Sequence, residues 1–140
     1  MTLNYLAIVV AAIAAWLVGG VWYSVLSKPW VEAQGMTLEE AKAKHAAVKG
    51  TSAAWMPFVI VFIAELIIAF VLAGLLGHLG TWSVRGGVIS AAIVWFGFVL
   101  TTIVGNNAFQ QRSIKLTAID AGGWLAAFLV IGAIVGGWGP

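Results

Sequence analysis

The sequence has no cysteine, only three prolines, and little charge: seven Lys and Arg against five Asp and Glu in 140 residues. Without cysteine there is no disulfide framework, no thiolate metal site and no cysteine nucleophile. A net charge of +2 spread along the chain supplies no basic stripe of the kind nucleic acid requires, so no nucleic-acid partner is expected. Catalytic signatures are missing too: there is no Gly-x-Ser-x-Gly elbow, His-Glu-x-x-His helix, Walker loop or dinucleotide fingerprint. No enzyme activity, cofactor or metal is therefore expected. What the chain has in excess is apolar surface. Hydrophobic residues make up 62% and charged ones 9%, against about 45–50% and about 25% in soluble domains. A soluble domain of this size could not bury so much. The solvent must be lipid.

A span needs about 20 mostly apolar residues. Four segments qualify, over about 4–26, 53–76, 82–104 and 116–138. Their unbroken length favours helices over the short alternating strands of outer-membrane barrels. The expected fold is all-α: a polytopic membrane protein, one membrane domain over residues 1–140, with four transmembrane helices in a tight bundle. The long first loop contains one short amphipathic helix, about 37–49. There Thr37 and Glu40 have capping-box spacing, and Leu38, Ala41, His45 and Val48 form a thin apolar stripe.

The positive-inside rule orients the chain. Loops one and three carry six basic residues (Lys28, Lys42, Lys44, Lys49, Arg112 and Lys115), and loop two carries only Arg85. Both termini are expected outside, with loops one and three in the cytoplasm. Trp22, Trp30 and Trp55 then fall near the inner interface, and Tyr5, Trp82 and Trp138 near the outer one, as in an aromatic belt.

Lipid gives helices no hydrophobic reason to associate, so small residues must let them approach. Ala7, Ala11, Ala15 and Gly19 form one row at a spacing of four, and Ala69, Ala73 and Gly77 another. Gly132 and Gly136 form a third. These rows predict the tight bundle and self-association as a dimer or trimer.

Extending the second row back by four reaches Glu65, the one acid near the middle of a span. A carboxyl there costs roughly 2.5–3.5 kcal/mol on insertion scales. It reads either as a proton or cation site, or as a permanently protonated acid hydrogen-bonded across the bundle. Trp16 and Trp95 fall at nearly its depth, and Trp124 about 4.5 Å further in, at 1.5 Å rise per residue. Glu65, Trp16, Trp95 and Trp124 are thus a candidate intramembrane site for a lipophilic cation, held by charge and cation–π contact; the alternative is that the indoles are apolar filler. A polar cluster in loop three, Asn106, Asn107, Gln110, Gln111 and Arg112, reads as capping and a turn after Gly105. Alternatively it forms a polar cytoplasmic mouth with Arg112 paired to Asp120.

Asn4-Tyr5-Leu6-Ala7 opens a span that closes with Gly19-Gly20-Val21-Trp22-Tyr23-Ser24, and later come Phe109-Gln110-Gln111-Arg112-Ser113, Ile119-Asp120-Ala121-Gly122 and Gly132-Ala133-Ile134-Val135-Gly136-Gly137-Trp138. Over nearly its whole length the chain resembles a bacterial membrane family catalogued as domain of unknown function 1761. Val25 stands where that pattern has proline after Trp-Tyr-Ser. The resemblance implies a four-span protein of the bacterial inner membrane and no particular activity. Two readings follow: a structural or accessory bundle that self-associates, or a small proton- or cation-coupled transporter or channel using Glu65 on an ion or small-molecule substrate. The second resembles the small multidrug-resistance exporters in having four spans and a membrane Glu, but their Glu lies in the first span, where this chain has none.

Overall fold

The computed structural model describes residues 2–140. Six helices follow in order: α1 (Tyr5–Val25), α2 (Ser27–Ala33), α3 (Leu38–Val48), α4 (Ser52–Leu79), α5 (Val84–Phe109) and α6 (Ile114–Trp138). No strand occurs among the described residues. The helices α1, α4, α5 and α6 are long and apolar enough to cross a membrane, and they pack together as a bundle. The chain is an all-α, four-span membrane protein.

Local chemistry sets the helix ends. Asn4 Oδ1 accepts from the Ala7 amide at 3.0 Å, Ser83 Oγ from Gly86 at 2.9 Å and Ser113 Oγ from Leu116 at 3.1 Å. Each satisfies an amide that the first helical turn leaves unpaired. At the other end of α4, Gly80 takes the left-handed conformation, φ +66°, which suits a residue without Cβ. The Thr37–Glu40 capping box forms as its spacing predicts. The helix behind it, α3, buries none of its residues.

Three features differ from the sequence reading. A second loop helix, α2, follows α1 directly, because Pro29 lies in its first turn, where a missing N–H costs nothing. The third span runs on to Phe109, so Asn106 and Asn107 are helical and the turn comes later. Gly105 does not end it, since spans tolerate glycine; Gln111 does, at φ +54°. The same span winds as a π-helix from Trp95 to Leu100.

The core is built from small residues facing large ones. Ala11 and Ala15 of α1, Ala69, Leu72, Ala73 and Leu76 of α4, Ala91 of α5, and Ala127, Phe128, Ile131 and Val135 of α6 form one buried cluster. The alanines of the expected rows, with Gly132 and Gly136, therefore face other helices of the same chain, whereas Gly19 faces open space. The last helix, α6, touches all three other spans and is 39% buried, against 28% for α1 and α4 and 11% for α5. So α6 is the axis of the bundle and α5 its least covered member.

Candidate functional site

Glu65 lies midway along α4, on the row that continues into Ala69 and Ala73, and is only 2% exposed. Its Oε2 is buried without a hydrogen-bond partner. Of the indoles expected around it, Trp16 turns outward and each of the others has its own packing partner. Trp16 is 37% exposed; its Nε1 donates to the Phe58 carbonyl at 3.0 Å, and its ring meets Phe62 edge-on at 6.2 Å. Trp95 Nε1 donates to the Ala121 carbonyl at 2.9 Å. Trp124 packs against the apolar cluster. Depth alone does not place a side chain; azimuth decides which way it looks. Ala15 is fully buried, so Trp16, one residue and about 100° further round, points out of the bundle. It lines an apolar groove of about 570 Å³ between α1 and α4 with Trp55, Phe58 and Phe62.

The polar residues of the third loop also separate. Asn106 is exposed, whereas Asn107 is buried and its Nδ2 donates to Thr117 Oγ1 at 3.0 Å. Arg112 Nε donates to Gln110 Oε1 at 2.8 Å, and Asp120 takes other partners, so Arg112 and Asp120 are not joined. Ser113 Oγ donates to the Ala33 carbonyl at 2.7 Å, tying loop three to α2.

Asp120 instead anchors a cluster that brings together the end of α1, the short α2 and the start of α6. Its Oδ1 accepts from Tyr23 Oη at 2.8 Å and from Trp30 Nε1 at 3.1 Å. The two rings meet edge to face, with centroids 5.7 Å apart at 77°. Trp22 Nε1 donates to the Ile119 carbonyl at 3.0 Å. The Trp22 indole lies over Gly122 and Gly123, where a Cβ on Gly122 would stand 2.7 Å from Trp22 Cζ2. Together with Trp95 on Ala121, this puts three indoles and a phenol on one stretch of α6. The two glycines are what let the Trp22 ring lie that close.

Trp22 and Trp30, read from the sequence as belt residues, and Tyr23, which that reading left without a role, are the further functional candidates. The available signal was chemical: a partly buried Trp or Tyr seeks an acceptor for its N–H or O–H, and Asp120 is the only acid in α6. Tyr5, Trp55 and Trp138, by contrast, are exposed. Among the described residues no group of three His, Asp or Glu could hold a metal ion.

A family model described as a protein of unknown function, DUF1761, matches residues 6–136. The Trp-Tyr-Ser and Ile-Asp-Ala-Gly segments that carry the resemblance are the two that meet at Asp120. No curated protein and no solved structure matches the chain.

Proposed function

The chain belongs to the DUF1761 family, and from that premise we propose that it is a non-catalytic structural or accessory bundle of the bacterial inner membrane that self-associates. One observation carries the reading. The alanines of the α1 and α4 rows and Gly132 and Gly136 of α6 are buried inside the bundle, yet α5 keeps a further row on its uncovered half. Gly97, Thr101 and Gly105 repeat at a spacing of four, and a Cβ on either glycine would meet nothing within 4 Å. Thr101 Oγ1 donates to the Gly97 carbonyl at 2.8 Å, which satisfies the hydroxyl within its own helix. Thr102 does the same to Phe98. Such a face lets a second helix backbone come close, and close packing is what drives association in lipid.

The test is the mass of the full chain in detergent or nanodiscs. The wild type is expected as a dimer or trimer, and Gly97→Leu with Gly105→Leu as a monomer whose melting temperature is unchanged. A monomeric wild type, or a mass unaffected by the two leucines, rejects the reading.

The partnerless Oε2 of Glu65 favours a second reading, a proton- or cation-coupled transporter. In liposomes, Glu65→Gln then abolishes proton-linked flux and, in cells, tolerance to cationic dyes. Unchanged flux removes that reading.

A further inference from the structure

The hydrogen bonds at Asp120 fix the position of its carboxylate without cancelling its charge. Both donors, the Tyr23 hydroxyl at 2.8 Å and the Trp30 indole at 3.1 Å, are neutral, and both go to Oδ1. Arg112, in the adjoining loop, is engaged by Gln110. The side chain is only partly covered, so its charge has a way to meet a partner from outside the chain. Beside it stand two aromatic rings held edge to face. Their arrangement is rigid, since each ring is pinned through its own polar atom.

Depth narrows the partner. Asp120 lies six residues into α6, which starts at Ile114; at 1.5 Å per residue that is about 9 Å along the helix, toward one end of the span. Hard metal ions require six or more oxygen ligands for calcium, or near-octahedral oxygen geometry for magnesium, and one carboxylate among indoles does not supply them. An organic ammonium requires less: one carboxylate and aromatic faces within about 6 Å.

We propose that Asp120, Tyr23 and Trp30 form a binding site for an alkylammonium ion at the membrane boundary. The ion is carried either by the headgroup of an aminophospholipid or by a free amphiphilic amine. Asp120 supplies the charge, the rings supply cation–π contact, and Trp22, packed on Gly122 and Gly123, holds the end of α1 against α6. This site stands independently of self-association through α5.

The experiment uses the full chain in dodecyl maltoside, followed by tryptophan fluorescence and native mass. Short-chain phosphatidylethanolamine, short-chain phosphatidylglycerol and tetramethylammonium chloride are the probes, with potassium chloride as the ionic-strength control. Wild type is expected to bind the ethanolamine lipid about tenfold more tightly than the glycerol lipid, a difference of about 1.4 kcal/mol. Asp120→Asn keeps an oxygen to accept from Tyr23 and Trp30 but loses the charge, so it should stay folded at a somewhat lower melting temperature and lose the preference. Tetramethylammonium displacing the ethanolamine lipid assigns the site to the headgroup; tetramethylammonium binding without any lipid preference assigns it to a free amine. The proposal is overturned if Asp120→Asn retains the preference. If Asp120→Asn does not fold, wild type decides alone: equal responses to tetramethylammonium and potassium, with no lipid preference, also overturn it.

Discussion

Gly87 of α5 and Gly132 of α6 lie backbone against backbone: a Cβ built on either would overlap the carbonyl oxygen of the other. Gly136 extends the seam, where a Cβ would overlap the Ser83 carbonyl and stand 3.0 Å from Gly87 Cα. Backbone atoms cannot swing aside as side chains do. Gly87→Ala should therefore force α5 and α6 apart, at a cost of about 1–3 kcal/mol, as for other overpacked interiors. Gly97→Ala on the same helix meets open space and should stay within roughly 0.5 kcal/mol of wild type. Thermal unfolding of the two variants in the same detergent makes the comparison, and equal melting temperatures would mean the seam is not there.

The cluster at Asp120 predicts a different pattern. Tyr23→Phe removes one hydrogen bond to a carboxylate while keeping the ring, and should lower stability by roughly 1.5–3 kcal/mol. Trp30→Phe removes the other. Because both bonds go to the same oxygen, the double variant should cost less than the sum, a coupling that a double-mutant cycle of unfolding measurements reads directly. Strict additivity would show that the two side chains do not share Asp120.

How much of this was legible follows from what acts locally. The four spans could be read because lipid demands a long apolar run and a helix that satisfies its own backbone. The rows through Ala11, Ala69 and Gly132 could be read because helix neighbours recur every four residues. Gly87 was visible only as part of a glycine pair; its partner lies 45 residues on and no local pattern names it. Asp120 finds Tyr23 and Trp30 across 97 and 90 residues, and only the fold brings them together. The outward turn of Trp16 was readable in principle, since Ala15 beside it belongs to the packing row. Depth alone groups Trp16 with Glu65, and azimuth is what turns it outward. The π-helical turn at Trp95–Leu100 has no proline or comparable mark to announce it.

Glu65 carries a prediction that separates packing from transport. A carboxyl that is 2% exposed with an orphan oxygen contributes little that an apolar side chain of similar length would not. Replacing buried polar groups by well-packed apolar ones is often neutral or stabilising. Glu65→Met should therefore melt at or above the wild-type temperature. A loss of more than about 1 kcal/mol would instead reveal a hydrogen-bond partner, since that is the usual net worth of one such bond.

The exposed α3 predicts a strictly local effect. Its capping box satisfies two amides at the helix start and none of its residues is buried. Thr37→Ala should weaken α3 by about 1 kcal/mol without moving the melting temperature of the bundle. Hydrogen exchange should show faster amides over residues 38–48 alone. Faster exchange spreading into α4 would mean that α3 braces the bundle.

Orientation can be tested on the same charges that suggested it. Ser113 Oγ bonded to Ala33 holds loop three against α2, so the six basic residues of loops one and three share one side of the membrane, and Arg85 faces them from the other. From the positive-inside bias we propose that this side is cytoplasmic and both termini lie outside. A reporter active only outside the cytoplasm should work after Pro140 and fail when inserted at Gly50, between α3 and α4. Because the bias resides in few residues, changing Lys42, Lys44 and Lys49 to Ser should lower activity at Pro140 and produce a mixed population. The three lysines lie on or beside α3, which buries nothing, so the change acts on insertion and not on packing. A reporter after Pro140 that reads cytoplasmic in the wild type would invert the whole assignment, and would move the Asp120 site to the outer boundary of the membrane.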